Sequence, residues 1–274
     1  AGRLWRAPGP AHGTVIMCHG FGRSMYDYRG YQWIATRDHW DVVRFDFREH
    51  GQSSHAWLQI PTLGYYEIWD LKAVIDWAEA QHLPKPYVCY GQSMGASIAL
   101  RWAGQDQRIS AVLAQSPYKN ALDATHKYRP DSFRVQFASH VLVHGAIRRM
   151  LAAVDIPTAL EKRDDLRIWL TATQKDWFPE DDQREILAAS HSPSQLKRFD
   201  LIPVVWHGEI WKWSGNDQLI ESFLAAASPP APRVLPAHQQ PWMTRRMELM
   251  GVAALVILLV GLSIHLRRRT AMGK

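Results

Sequence analysis

The chain has 274 residues, enough for one large domain or two small ones with a substantial buried core. Its apolar fraction of 47% and charged fraction of 21% are typical of a folded globular protein and exclude a disordered chain. The net charge is +6, but the basic residues are scattered apart from a C-terminal cluster, and no nucleic-acid-binding module is recognisable, so we expect no nucleic-acid partner.

Short apolar strands alternate with helices in the first half of the chain. The predicted strands are Thr14–Cys18, Asp41–Asp46, Tyr87–Tyr90 and Ile109–Gln115. The predicted helices are Tyr26–Arg37, Tyr65–Gln81 and Ala96–Ala103. This alternation predicts an α/β fold with a mainly parallel sheet, in which functional groups gather beyond the carboxyl ends of the strands. Residues 1–13 show no clear period, and we interpret them as a segment that leads into the domain.

The pattern loosens after the fourth strand. Residues 118–162 contain mixed helical fragments and no strand, which predicts a small apolar helical cap over the site. Strands are predicted again at Leu166–Thr171 and Gln195–Phe199, and residues 201–208 are predicted to form a loop. Further helices are predicted at Glu180–Ser190 and Asp217–Ala227, so that residues 1–227 form the main domain.

The C-terminal part has a different composition. Residues 228–241 contain five prolines in fourteen positions, which predicts an extended, semi-rigid linker. Within residues 242–274, positions 247–266 carry no charge after Glu248 and are about as long as a bilayer core is thick. We therefore predict a single-pass transmembrane helix at the C-terminus that anchors the protein in a membrane. Arginines flank it on both sides, which leaves both orientations of the main domain open.

The motif Gly91-Gln-Ser93-Met-Gly95 lies between a predicted strand and a predicted helix. In this strand, turn and helix context, the glycines allow close backbone approach around an exposed serine hydroxyl. A serine hydroxyl is a poor nucleophile at neutral pH, so it needs a general base and a carboxylate that orients the base. Asp176 and His207 follow in the order serine, acid, histidine, each in a loop after a predicted strand. We predict Ser93 as nucleophile, Asp176 as acid and His207 as base.

Residues 12–227 resemble the α/β-hydrolase superfamily. The motifs that carry the resemblance are His19-Gly-Phe-Gly22, Asp46-Phe-Arg-Glu-His-Gly-Gln-Ser53, Gly91-Gln-Ser-Met-Gly95 and Asp176-Trp-Phe-Pro179 followed by His207-Gly208. The chain is most similar to the branch of monoacylglycerol lipases, small esterases and serine aminopeptidases. The resemblance implies the α/β-hydrolase fold, the same three catalytic roles, and an oxyanion hole formed by the backbone N–H groups of Phe21 and Met94. Two positions depart from the family: Glu49 replaces the usual glycine, and the Asp176 loop lacks its usual glycine.

Each site residue has a competing interpretation. Ser93 could be a helix N-cap serine, and His207 a surface or core histidine, with His191 as the reserve base. The reserve acids are Asp181 and Asp165. The remaining histidines of the motifs, His19 and His50, are interpreted as residues that shape their loops. No cluster has the spacing of zinc ligands, so we expect neither a metal site nor a cofactor.

The combined prediction is a membrane-anchored serine hydrolase that cleaves carboxylic esters, with a small-molecule or lipid ester as substrate. The membrane anchor favours a lipid-like ester. One alternative is a serine aminopeptidase or a thioesterase with the same triad, because the triad does not select the leaving group. The other alternative is a non-enzymatic hydrolase-like domain that binds a ligand or a partner.

Overall fold

A computed structural model describes residues 1–55, 61–127 and 146–228, which belong to one compact unit, Ala1–Pro229. The strands are β1 (Gly2–Trp5), β2 (Thr14–Cys18), β3 (Asp41–Phe45), β4 (Tyr87–Gln92), β5 (Ile109–Gln115), β6 (Arg167–Lys175) and β7 (Lys197–Trp206). They form one sheet in the order β1-β3-β2-β4-β5-β6-β7. Only the pair β1 and β3 is antiparallel in this described sheet. The predicted mainly parallel sheet is therefore confirmed.

Helices cover both faces of this sheet. They are α1 (Arg29–Arg37), α2 (Ile68–Ala80), α3 (Met94–Ala103), α4 (Ala121–Lys127), α5 (Ala146–Ala152), α6 (Ile156–Leu160), α7 (Glu180–Ala189) and α8 (Asn216–Ala227). Helices α1 and α8 pack on one face, and α2, α3, α6 and α7 pack on the other. The predicted flanking helices are thus confirmed.

The central strands are apolar because both of their faces are buried. Every residue of β2 is buried, and its side chains alternate between two hydrophobic clusters. Val15 and Met17 face α1 and α8, while Ile16 and Cys18 face the opposite helices. A continuous apolar run is what a strand covered on both faces requires, and the predicted bounds of β2 match the observed ones.

The two edge strands differ from the prediction. Residues 1–13, interpreted as a leading segment, contain β1, a strand of four residues that are exposed or half-buried. Residues 201–206, predicted as a loop, continue β7. Pro203 interrupts the apolar pattern there, but proline is tolerated in an edge strand, because one side of its backbone lacks a partner strand. Edge strands need less apolar sequence, and this is why β1 was not predicted and the predicted strand Gln195–Phe199 covers only the first part of β7.

The predicted cap lies only partly within the described residues, since 128–145 are outside them. Its two ends meet: the N–H of Ala121 donates to Val154 at 3.1 Å, and the N–H of Ile156 donates to Lys119 at 3.0 Å. The described ends of the predicted cap segment therefore lie side by side. Helix α6 packs on α3, so the end of the predicted cap segment belongs to the main helical layer.

The predicted linker, 228–241, lies outside the described residues after its first position, and so does the predicted transmembrane helix, 247–266. Among the residues that are described, none of the helices has the length and apolar character that crossing a membrane requires.

Candidate active site

Ser93 occupies the sharp turn between β4 and α3. Its φ of 50° and ψ of −117° lie in a region that residues other than glycine rarely adopt. The turn is supported from the neighbouring strand, where the Ser93 N–H donates to the carbonyl of Gln115 at 2.8 Å. The Ser93 side chain forms no helix-capping hydrogen bond, unlike that of an N-cap serine. Its hydroxyl is directed to another partner.

The glycines of the motif are required by close backbone contacts. A Cβ on Gly95 would lie 2.0 Å from the carbonyl oxygen of Cys18 in β2. A Cβ on Gly91 would lie 2.7 Å from backbone atoms of Ala96 in α3. The predicted reason for these glycines, close packing of two backbones around Ser93, is thus confirmed.

The structure brings Ser93, His207 and Asp176 into one hydrogen-bonded chain. His207 follows β7, and its Nε2 lies 2.8 Å from the Ser93 Oγ. Its Nδ1 lies 2.6 Å from Asp176 Oδ1, and both side chains are almost fully buried, at 4% and 3% exposed. Because a carboxylate only accepts hydrogen bonds, Nδ1 carries the proton and Nε2 accepts the Ser93 hydroxyl proton. This is the tautomer that a general base requires.

Asp176 follows β6 in a turn that its own carboxylate holds together. Oδ1 also accepts the N–H of Phe178 at 3.1 Å, while Oδ2 accepts the N–H and the hydroxyl of Thr173, each at 3.3 Å. Burial would raise the pKa of Asp176, but the hydrogen bond and charge interaction with His207 and the hydrogen bond from the Phe178 N–H outweigh it and lower the pKa below its usual value. The carboxylate is therefore ionised at neutral pH despite its burial.

The reserve candidates lie apart from this chain of hydrogen bonds. His191 and Asp181 are exposed, and Asp165 forms an ion pair with Arg163. No group of three or more His, Cys, Asp or Glu side chains within residues 1–55, 61–127 and 146–228 is arranged to hold a metal ion.

His19 links two loops at the site. It is buried, its Nδ1 is 2.9 Å from the Gly20 carbonyl, and its Nε2 accepts the N–H of Phe47 at 3.0 Å. Burial lowers the pKa of His19 to about 4. His19 is therefore neutral at pH 7, with both ring nitrogens engaged, in agreement with its predicted role in shaping the loop.

The two residues assigned to the oxyanion hole lie in two segments that border Ser93. Met94 is the first residue of α3, where backbone N–H groups lack helical partners and the helix dipole is positive. Phe21 lies in the loop after β2. A Cβ on the preceding Gly20 would lie 3.6 Å from the Ser93 Cβ, so this loop passes directly beside the serine.

Two aromatic rings contact His207, and both belong to the Asp176-Trp-Phe-Pro179 motif, although the sequence analysis assigned neither a role. The Trp177 indole stacks on the imidazole with ring centroids 4.3 Å apart and an interplanar angle of 19°. Phe178 meets the same imidazole edge-on at 5.1 Å. The sequence contains these residues directly after Asp176, but no pattern indicates that they reach a histidine about 30 positions later.

Comparisons with known proteins agree with this architecture. Residues 13–186 match the family described as alpha/beta hydrolase fold. A Synechocystis sp. protein named as a candidate esterase is 34% identical over 103 residues, which cover 35% of this chain and 28% of that protein. The chain spans less than a third of the curated relatives that it matches.

Solved structures show the same fold at low sequence identity. A Pyrococcus furiosus esterase superposes with a TM-score of 0.61 at 20% identity, over 80% of this chain and 85% of that one. A monoacylglycerol lipase of Paleococcus ferrophilus superposes with a TM-score of 0.63 at 16% identity, over 82% and 98% of the two chains.

Proposed function

This chain belongs to the alpha/beta hydrolase fold family, and from that premise we propose that it is a serine hydrolase that cleaves carboxylic esters through an acyl-enzyme on Ser93. The observation that carries the proposal is the hydrogen-bonded chain from Ser93 through His207 to Asp176. Nucleophile, base and orienting acid lie within hydrogen-bond distance in the order that serine activation requires.

In the acylation step, the Ser93 Oγ attacks the acyl carbon while its proton moves to His207 Nε2. Asp176 stabilises the resulting imidazolium through the bond to Nδ1. The carbonyl oxygen becomes an oxyanion, which the backbone N–H groups of Phe21 and Met94 would bind. When the intermediate collapses, the bond to the leaving oxygen breaks and His207 returns the proton to the departing alcohol.

In the deacylation step, a water molecule takes the place of the alcohol. His207 Nε2 accepts a proton from the water, whose oxygen attacks the acyl carbon of the Ser93 ester. The second intermediate collapses, the bond to Ser93 Oγ breaks, and His207 returns the proton to the serine. The carboxylic acid leaves, and the enzyme is restored.

We favour a lipid-like ester as the substrate. The support is the predicted apolar segment at 247–266, which would hold the domain beside a bilayer where such esters are concentrated. The preference is tested with p-nitrophenyl esters of increasing acyl length. Faster turnover of the acetate than of the longer esters would count against a lipid-like substrate.

Labelling with a fluorophosphonate probe tests the proposed nucleophile. We expect the wild type to be labelled and Ser93→Ala to lose labelling, with esterase activity falling by about a millionfold. Ser222→Ala is the matched control and should be labelled like the wild type, because Ser222 is exposed on α8 and its hydroxyl donates to the Gln218 carbonyl of the same helix. A folded wild type that takes no label would refute the serine hydrolase proposal.

The leaving group is tested separately. The same triad could cleave amides or thioesters, so aminoacyl anilides and acyl thioesters are compared with the p-nitrophenyl esters. We expect the esters to have the highest kcat/KM. Faster turnover of the anilides would assign the protein as an aminopeptidase instead.

A further inference from the structure

Trp177 makes an unusual contact for an exposed side chain. It is 43% exposed, yet its indole lies nearly parallel to the buried imidazole of His207, with ring centroids 4.3 Å apart. Most large apolar side chains are placed by packing within a core, but nearly half of this one faces solvent. The contact with His207 therefore needs an explanation other than filling the interior.

The position of Trp177 is set by the turn that also positions the acid. Asp176 accepts the backbone N–H of Phe178 through Oδ1, and its Oδ2 accepts two hydrogen bonds from Thr173. Trp177 lies between the residues joined by these bonds. The carboxylate that binds His207 Nδ1 thus also holds the backbone from which the indole reaches the imidazole ring.

The stacked geometry limits how His207 can move. Rotation of the imidazole out of its present plane would separate Nε2 from Ser93 Oγ, and the indole face opposes that rotation on one side. Phe178 contacts the ring edge-on at 5.1 Å and 87°. The hydrogen bonds to Ser93 and Asp176 fix the direction in which the two nitrogens of the His207 imidazole point within the ring plane. The contacts with Trp177 and Phe178 fix the tilt of that plane.

We propose that Trp177 is a positioning residue of the reaction, which holds the His207 imidazole in its catalytic orientation and stabilises it when it carries the transferred proton. The inference rests on the proposed serine hydrolase function. An aromatic face attracts a cation, and indole does so most strongly among the side chains. The imidazole becomes a cation in both acylation and deacylation, so the stack strengthens at the point in each step where charge develops.

The proposal predicts a specific kinetic pattern for Trp177→Leu. In the full chain, kept in a mild detergent because of its predicted apolar segment, we expect kcat for p-nitrophenyl butyrate to fall about tenfold. KM should stay within about twofold, because the stack contributes more to the transition state than to the bound substrate. Trp177→Phe retains an aromatic face, so its kcat should be no more than about threefold below that of the wild type.

Two controls separate this role from a general structural one. Trp211→Leu removes another tryptophan, 58% exposed, from the short helix after His207, and should leave kcat unchanged. Urea unfolding should give the same midpoint for Trp177→Leu as for the wild type, because no closed cavity forms at an exposed position. If Trp177→Leu is poorly produced, Trp177→Gln allows the same comparison.

The outcomes distinguish the positioning role from the proposed function itself. If the wild type is labelled by fluorophosphonate and Trp177→Leu retains a kcat within twofold of it, the positioning role is wrong while the serine hydrolase proposal stands. A fall that Trp177→Phe does not recover, or that Trp211→Leu shares, also overturns the positioning role. If the wild type neither takes the label nor hydrolyses esters, the proposed function fails first.

Discussion

Burial sets the charge of His19, which lies beside the candidate active site. His19 lies between the loop after β2 and the loop after β3, and both of its ring nitrogens form hydrogen bonds to backbone groups. Removing the ring from water penalises its charged form, so burial lowers the pKa of His19 to about 4. The histidine stays neutral at the pH where His207 would have to work.

This histidine makes the stability of the protein depend on pH. Between pH 6.5 and about 4 the unfolded chain binds a proton at His19 that the folded chain does not, so the free energy of unfolding falls as the pH falls. We expect a contribution of about 2 to 3 kcal/mol between pH 7 and pH 4.5. His19→Gln should remove that part of the pH dependence, as measured by urea unfolding at the two pH values.

The control for this measurement is an exposed histidine. His191→Gln should retain the pH dependence of the wild type, because the His191 side chain lies at the surface. An unchanged slope in His19→Gln would contradict the assignment of the pH dependence to this buried ring.

Glu49 is one of the two residues that depart from the family pattern, and its backbone conformation shows why glycine is usual there. It stands where the family usually has glycine, and its φ of 62° lies in the left-handed region that glycine favours. The loop after β3 therefore keeps the conformation associated with glycine, at a cost of about 1 kcal/mol for the glutamate. Glu49 thus adopts a backbone conformation that glycine adopts without strain.

The turn from β4 into α3 is the element on which the site depends. It holds Ser93 at a positive φ, and neither flanking glycine has room for a Cβ, because Gly95 lies against the backbone of β2 and Gly91 against the backbone of α3. A strained conformation of this kind persists only when the surrounding structure supports it. Support comes from two neighbouring strands, through the Gln115 carbonyl and the backbone of Cys18.

Gly95→Ala tests this dependence. The added Cβ would lie 2.0 Å from the carbonyl oxygen of Cys18. The backbone fixes the position of a Cβ, so no side-chain rotation can relieve this contact. We expect a loss of about 3 kcal/mol in the free energy of unfolding and loss of fluorophosphonate labelling. Thermal and urea unfolding measure the first effect, and gel fluorescence measures the second.

Gly30→Ala in α1 is the matched control, since a Cβ there meets no atom within 4 Å. Alanine favours a helix over glycine, so the variant should be as stable as the wild type or up to about 1 kcal/mol more stable. If Gly95→Ala behaved like Gly30→Ala, the close packing of α3 on β2 would not be what requires a glycine at position 95.

At the scale of the whole molecule, the described residues form a domain of the alpha/beta hydrolase fold, and the predicted anchor is a later segment of the sequence. The compact unit spans Ala1–Pro229, and the apolar run predicted to cross a membrane begins at about position 247. A proline-rich linker between them would allow the site to be held near a lipid surface without contributing to its geometry.

Deletion of residues 242–274 tests the predicted anchor. We expect the full chain to sediment with membranes and the shortened chain to move to the supernatant, because the segment supplies the apolar length that a bilayer requires. Ultracentrifugation after expression of both forms measures the distribution. The shortened chain should still take the fluorophosphonate label, and its continued association with membranes would contradict the prediction of a C-terminal anchor.

How well the sequence predicted the bounds of each strand depended on how deeply that strand is buried. Strands β2 and β5 have the bounds that their apolar runs predicted, because a strand covered on both faces must be apolar throughout. The edge strands β1 and β7 were missed or cut short. One edge residue, Pro203, would be a strong signal against a central strand but is tolerated in β7.

The sequence by itself determined the fold class and the residue types of the candidate site, because strand periodicity and the motif around Ser93 are local features. Only the tertiary structure decided which side chains meet. His207 is 114 positions from Ser93 and 31 from Asp176, and their contact depends on the order of strands in the sheet. The stacking of Trp177 on His207 depends on that order too, and on the turn held by the Asp176 carboxylate. Local sequence patterns carry no information about these contacts. Residues so far apart in the sequence meet only when the strands that carry them pack side by side.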